Sequence, residues 1–356
     1  MSQKPVSITD IARKVGVSTT TVSRVLNDAK GDIPISAKTR KLVLETASRL
    51  GYQRNPFASA LRTSRSGIVG AVSPNVSGTY VSVLGHHLQL AAHKLGIELL
   101  IGSTRVESEK IAGQLSILQS QIFDGVLFLC DHPYHQKLLN HEARFSKPYV
   151  HVMSESEQAA PVVAVDNEIG VALALDHLTE LGHTRIAFIG SPAWPGDRQR
   201  MRVYKAYLQA HGLPFHEELV SDLGQIPYTP EMTNFVEQIR HAATEHAYRL
   251  VAQKHRPTAI FCASDGYAAD VLKAVYRLGL RVPDDISIVG YGDQHEALIT
   301  YPELTTVRIP NDVIAEAALK LLMDLIEDPE SEHLLQTRIY VAPELIIRNS
   351  TAPAAS

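Results

Sequence analysis

Only two cysteines occur in the 356 residues, Cys130 and Cys262, so no disulfide framework can hold this chain together and a reducing compartment is its expected setting. No apolar run reaches the ~18 residues that a membrane-spanning helix requires. No secretory leader precedes the first helix signal either, so a cytoplasmic protein with no membrane partner is expected. Also missing are G-x-G-x-x-G, a Walker loop, G-x-S-x-G and H-E-x-x-H. Those absences remove the common apparatus of dinucleotide, nucleotide, acyl-transfer and zinc-hydrolase chemistry, and no catalytic residue is assigned.

Charge is present but unevenly spread. The first 65 residues hold 12 Lys/Arg against four acids (Asp10, Asp28, Asp32, Glu45), which leaves 22 basic and 34 acidic residues for the remaining 291. A small basic module joined to a larger acidic body points to a polyanion partner for the module and a separate task for the body. Such a footprint gives DNA affinity by counterion release, without sequence choice.

The head reads as three short helices. Ser7 and Asp10 form a capping box before Ile8, Ile11, Ala12 and Val15 at helical spacing, and Gly16 stops the helix. Ser18 caps a second helix, Thr19 to Leu26, with Val22, Val25 and Leu26 turned inward. A third, Ser36 to Leu50, is expected to pack through Leu42, Val43, Ala47 and Leu50 and to end at Gly51. Helix, short Gly-containing turn, helix is the helix-turn-helix pattern, whose second helix enters the major groove. Its N-terminal residues here are Thr19, Thr20, Thr21, Ser23 and Arg24, short polar groups plus one bidentate donor suited to guanine. The alternative, a three-helix scaffold without nucleic acid, explains neither the charge nor this polar face.

Asn55-Pro56 is a second helix start, with apolar Phe57, Ala58, Ala60 and Leu61 following and Arg62 and Arg65 flanking. Six or seven residues cannot sustain a helix alone, because nucleation is too costly below ~12 residues. This stretch should order only when something pairs with it; an exposed linker is the plain alternative.

From Gly67 onward, apolar runs alternate with helical segments. Strands are expected at 67–73, 97–103, 125–130, 148–153, 185–190, 258–264 and 287–291. Helices are expected near 81–95, 107–121, 198–211 and 266–278, with a further short one before 148. Short continuous apolar runs separated by helices indicate parallel sheets covered on both faces, with a ligand cleft at the carboxyl ends of the strands. Cys130 and Cys262 each end such a run, where a buried small hydrophobe is the expected role. Cys130, Asp131, His132 and His135 form a donor cluster without zinc spacing or a second ligand pair. That cluster is read as a strand-end loop facing the cleft, and no metal is assigned.

The segments "SITDIARKVGVSTTTVSRVLN" and "SAKTRKLVLETASRLGYQRNPFASALRTSRSGIVGAV" closely resemble the head and hinge of the lactose/galactose-repressor (LacI/GalR) family of bacterial transcription regulators. The resemblance continues through "VDNEIGVALALDHLTELGHTRIAFIG", "LKAVYRLGLRVPDDISIVGYGD" and "LTTVRIP". It implies an all-α helix-turn-helix head (1–54), a hinge helix or linker (55–66) and a tail at 351–356. Between them lies a bilobal α/β core of two doubly wound parallel sheets (67–350), resembling periplasmic binding proteins. The loop between Asn27 and Ser36 is about three residues longer than the family pattern.

The resemblance also implies roles. Ser7, Ser18, Thr21, Ser23 and Asn27 match positions that bond backbone phosphates, and Thr19, Thr20 and Arg24 match base-reading positions. Asn55, Ala58 and Leu61 match the hinge helix, with Leu61 wedging into the minor groove. In the core, Arg200 falls at the ligand-binding arginine, and Tyr204 and Tyr80 at aromatic positions. The family's pocket Asp is Gly292 here, followed by Asp293, and its pocket Asn is Ser264. An arginine without that acid predicts a more cationic cleft, hence a sugar-like effector that carries an acidic or phosphate group. The competing expectation is that Asp131 or Asp293 turns in and a neutral sugar binds. Crossings between the lobes are expected near 163–168, 291–295 and 306–310, with 311–327 returning as a helix of the first lobe. The expected function is a homodimeric repressor on a pseudo-palindromic operator, gated by this effector and needing no cofactor. A pure solute receptor with the same core is the alternative, and the basic head argues against it.

Overall fold

The protein is described here by a computed structural model, covering residues 6–26, 34–52, 65–73, 79–103, 116–129, 145–153, 161–192, 194–224 and 235–354. The chain divides into two compact units between Ser64 and Arg65.

The first unit contains α1 (Ile8–Val15), α2 (Thr19–Leu26) and α3 (Ala37–Arg49). The Ser7–Asp10 capping box is formed in both directions, and Gly16 ends α1 in the left-handed conformation at φ 76°. Ser18 and Ser36 each accept a backbone N–H from three residues on, at 3.1 Å. Ile11, Ala12, Val22, Val25, Val43 and Ala47 make the core, with Leu26 and Leu50 packed at its edge. Leu42 is not part of it: at 43 % exposure it lies on the outer side of α3, one position off the stripe carried by Val43 and Ala47.

The second unit has two six-stranded sheets. In the first lobe, β1 (Ile68–Ser73), β2 (Glu98–Ser103), β3 (Gly125–Leu129), β4 (Tyr149–Val152) and β5 (Val162–Val165) form a parallel sheet, with α4 (Thr79–Leu95) packed on it. Of the helix expected at 107–121, the described part is a helical stretch at 116–118.

After Asp166 the chain enters the second lobe. Its elements begin with α5 (Asn167–Glu180), β6 (Ile186–Gly190), α6 (Pro195–Ala210), β7 (Val220–Asp222) and α7 (Phe235–Val251). β8 (Ala259–Cys262), α8 (Asp265–Arg277), β9 (Ser287–Gly292), α9 (His295–Ile299) and β10 (Thr305–Arg308) follow. The chain then returns through α10 (Asn311–Glu327) and α11 (Glu332–Leu335) to β11 (Arg338–Val341), which extends the first sheet beside β5. It goes back once more as β12 (Glu344–Ile346), antiparallel to β10. The second sheet is therefore mixed at its edge instead of purely parallel.

The crossings lie at 166, 309–310 and 342–343. The one expected at 291–295 does not occur. There the chain turns at Gly292 (φ 126°) and Asp293 (φ 49°), runs through α9 and pairs back beside β9 as β10. The third crossing, at Ala342–Pro343, had no signal in the apolar periodicity. Buried apolar strands carry both sheets; Val126, Leu127, Leu129, Phe188, Ile260 and Phe261 are all 0 % exposed. Cys262 shares that environment, and burial pushes its thiol well above the usual range, which fits an inert core side chain.

Candidate functional site

On α2 the polar side chains divide by facing. Val22 and Val25 are buried against α1 and α3, which leaves Thr19 and Thr20 exposed and Thr21, Ser23 and Arg24 half-exposed. Ser18 fixes the start of this helix through the Thr21 N–H and its hydroxyl, at 3.1 and 2.9 Å. The unit thus presents a capped, polar helix face on an apolar three-helix core, the surface a major-groove reader needs. Asn27, Asn55, Ala58 and Leu61 lie outside the described residues.

In the second lobe the sheet order reverses between β6 and β8, which places a topological switch point at their carboxyl ends. Arg200 of α6 occupies it. Its Nη1 donates to the Ala263 carbonyl at 3.0 Å, just past β8, and to Asp197 Oδ1 at 3.2 Å. Its Nε donates to Asn167 Oδ1 at 3.0 Å, and its guanidinium lies 4.1 Å over the Tyr291 ring. Asp197 closes the arrangement by accepting the Ser191 N–H, at the end of β6, at 2.9 Å, and a bond from the Tyr267 hydroxyl. Burial pushes the Asp197 carboxyl up, while Arg200 and these donors pull it down. Asn167 Oδ1 also accepts the Tyr291 hydroxyl at 2.9 Å, and its amide donates to Gln199 at 2.7 Å.

Several expected contributors behave differently. Arg200 does not leave an uncompensated positive charge, because Asp197 sits three residues earlier on the same helix and faces it. Tyr204 offers no stacking face: it is 0 % exposed, its hydroxyl donates to the Ile186 carbonyl at 2.8 Å, and its ring packs on Phe188. Tyr204 shares a helix face with Arg200 but lies about 6 Å further along α6, where that face packs over the sheet instead of at its carboxyl edge. Ser264 serves as the N-cap of α8, accepting the Tyr267 N–H at 3.3 Å. Asp293 cannot turn in, because its carboxylate is held by Arg308 at 2.7 Å and Arg348 at 2.6 Å. Tyr80 lies half-buried at the start of α4 in the first lobe, and Asp131, Cys130, His132 and His135 lie outside the described residues.

The residues missed were Asn167, Asp197, Tyr267 and Tyr291. Signals for two of them were legible. Asn167 follows the first crossing directly, and Asp197 stands at i−3 from Arg200. The other crossings are tied to one another as well, since Arg308, before the second, meets Glu344, after the third, at 2.8 Å.

Gly170 of α5 packs directly under Tyr291; a Cβ there would fall against the hydroxyl and within 3.0 Å of ring carbons. Helix propensity alone would reward Gly170→Ala by about 1 kcal/mol. Here it should instead destabilise by about 1–2 kcal/mol by displacing the ring. Urea unfolding that shows a gain would contradict this packing.

Two family models match the chain: "Bacterial regulatory proteins, lacI family" over residues 7–55 and "Periplasmic binding protein-like domain" over 175–351. The HTH-type transcriptional regulator DegA of Bacillus subtilis is 30 % identical over 98 % of this chain and 98 % of its own length. The repressor PurR of Haemophilus influenzae is 29 % identical over 97 % of this chain and 98 % of its own length. Among solved structures, the lac repressor dimer bound to operator and the anti-inducer ONPF superposes with a TM-score of 0.81 at 24 % identity, covering 98 % of this chain and 100 % of that one. The CelR–cellobiose complex gives 0.68 at 25 % identity, over 97 % and 99 %. With a helix-turn-helix head, a bilobal core and full-length relatives of that kind, the chain belongs to the LacI family of DNA-binding transcriptional regulators.

Proposed function

We propose that this regulator is a repressor that binds a pseudo-palindromic operator as a homodimer and is switched by an uncharged, hydroxyl-rich ring compound, sugar-like in chemistry. The observation that carries the effector part is the Arg200 cluster at the switch point. A guanidinium fork neutralised by Asp197 and flanked by Tyr291 suits polar groups on a ring better than a carboxylate or phosphate. A related core holds cellobiose, a neutral disaccharide, in the CelR complex. In this reading Thr19, Thr20 and Arg24 read bases, and Ser7, Ser18, Thr21, Ser23 and Asn27 bind phosphates. Asn55, Ala58 and Leu61 form the hinge contact in the minor groove. Acting on chromosomal DNA, the protein works in the cytoplasm.

Dimerisation is supported by an apolar surface of the second lobe. Leu298, Ile299 and Tyr301 are 54, 64 and 90 % exposed, and Tyr276, whose hydroxyl bonds the Tyr301 carbonyl, adjoins them. One head alone spans too few base pairs for a genomic address, whereas two related by a two-fold axis read a palindrome.

Selection of duplexes from a random pool by the full-length protein should return a two-fold symmetric site. On that site, Arg24→Ala should lose about 1–3 kcal/mol and relax base choice at one position per half-site. Recovery of sequences without symmetry, or an Arg24→Ala protein with unchanged base choice, would overturn the reading.

A further inference from the structure

We infer that Asp124 is a positioning residue for operator binding: it fixes the point at which the segment leading to the DNA-reading head leaves the core, and so the spacing of two heads in a dimer. This rests on the homodimer reading above. Asp124 stands just before β3 and clasps the entry to β1. Its Oδ1 accepts the Ser66 N–H at 2.7 Å and the Ser66 hydroxyl at 3.0 Å, and its Oδ2 accepts the Gly67 N–H at 2.8 Å. Gly67 has φ 74°, a region that glycine enters without strain, and two successive N–H groups thereby turn to one carboxylate. The Asp124 N–H donates in return to the Ile68 carbonyl at 2.9 Å. From Ile68 onward, β1 is already paired with β2 on one side and from Val69 with β3 on the other. The clasp is therefore not needed for strand register; what it holds is the two residues ahead of the strand.

A second anchor adjoins the first. Arg65 donates to the Ile326 carbonyl at 3.3 Å and pairs with Glu327 at 3.8 Å, so a cation meets the negative end of α10. That last turn is itself seated on the residue after Asp124. A Cβ on Gly125 would come within 2.8 Å of Leu322 Cδ1 and 3.1 Å of Ile326 Cδ1. α10 is buried through Ile314, Ala318, Leu322 and Leu325, which makes its end a firm support. Residues 65–67 are thus held from two sides, by a carboxylate and by a packed helix end. Two heads reach two half-sites at once only if each linker starts from a defined point. A loose root spreads the heads over many separations and lowers the effective concentration of the second head at its half-site.

The test uses the full-length protein and three duplexes: the symmetric site that selection returns, the same site with one base pair inserted between its halves, and a single half-site. Wild type should bind the inserted site about tenfold more weakly, because the extra base pair turns one half-site by about a tenth of a helical turn. Asp124→Ala should lose about tenfold on the symmetric site, stay within about twofold of wild type on the single half-site, and pay only about threefold for the insertion. Asp124→Asn still accepts from Ser66 but sets an amide nitrogen against the Gly67 N–H, so it should fall between the two. Glu327→Ala, at an exposed position, should narrow the insertion penalty in the same direction. An unchanged penalty in Asp124→Ala overturns the inference. So does an equal loss on the single and complete sites, or a loss that accompanies dissociation to monomers in sedimentation. If Asp124→Ala fails to fold, an unchanged penalty in both Asp124→Asn and Glu327→Ala overturns it instead. A wild-type protein that selects no symmetric site, or ignores the inserted base pair, fails the homodimer reading itself.

Discussion

Asp197→Ala should cost the core about 3–5 kcal/mol of folding free energy, the typical penalty for removing one partner of a buried ion pair. Asp197 and Arg200 have side chains only 8 and 10 % exposed, so truncation leaves a guanidinium in a site that water reaches poorly. The Ser191 N–H and the Tyr267 hydroxyl lose their acceptor in the same step. Of its described partners, the Ala263 carbonyl and Asn167 still accept from Arg200, but neither brings negative charge. The pair should be strongly non-additive. Asp197→Leu combined with Arg200→Met should cost less than the sum of the two single changes, because the double variant strands no charge. Urea unfolding of Asp197→Ala, Asp197→Leu, Arg200→Met and the double variant measures this; an Asp197→Ala protein within 1 kcal/mol of wild type would mean that Arg200 is solvated. If the proposed effector site is right, effector binding should fall in both single variants, since each removes one member of the Asp197–Arg200 pair.

How far this arrangement was legible from residues alone follows from what periodicity encodes. The helix-turn-helix was readable in detail, because capping residues, a glycine stop and a 3.6-residue apolar stripe are all local. Ser7, Gly16 and Ser18 act as expected, while Ser36 stands just outside the third helix as its cap instead of as its first residue. The short strands β5, β7, β10, β11 and β12 were not expected, whereas seven strands, β1–β4, β6, β8 and β9, were readable as apolar runs. The lobe crossings were only partly so. Asp166 caps α5 through the Glu168 and Ile169 N–H groups, a cap that marks the first crossing. The turn at Gly292–Asp293 resembles a crossing in sequence but is bound into the second lobe by Arg308 and Arg348, contacts made by residues 15 and 55 positions away. The site showed the same limit. Arg200 was assigned by position, but whether its charge is compensated depends on which acid faces it, and its neighbours Asn167 and Tyr291 arrive from 33 and more residues away. Tyr204 failed for a simpler reason: four residues along the helix from Arg200, the same helix face packs over the sheet.

Asp265 sets the second large effect, and its direction depends on pH. This carboxyl is 0 % exposed and is pushed up to about 6, chiefly by burial and further by Asp293 and Glu296, against the bonds from Thr306 and the Gln294 N–H. The unfolded chain keeps an ordinary carboxyl near 3.8. Between those values the folded state holds the proton more tightly than the unfolded one, so stability falls as pH rises through this window. Above about pH 6 the cost of the buried charge is complete, about 3 kcal/mol by linkage. Asp265→Asn removes the charge while its amide oxygen can accept the Gln294 N–H and its nitrogen can donate to the Thr306 hydroxyl. The variant should therefore be more stable than wild type at pH 8, with the gain shrinking through pH 6 and vanishing near pH 4. Chemical denaturation at these three pH values decides the matter. A gain that is flat with pH would place the proton elsewhere, and a loss at pH 8 would mean that the ionised carboxylate, at the start of α8, is what holds the Gly292–Gln294 turn in place.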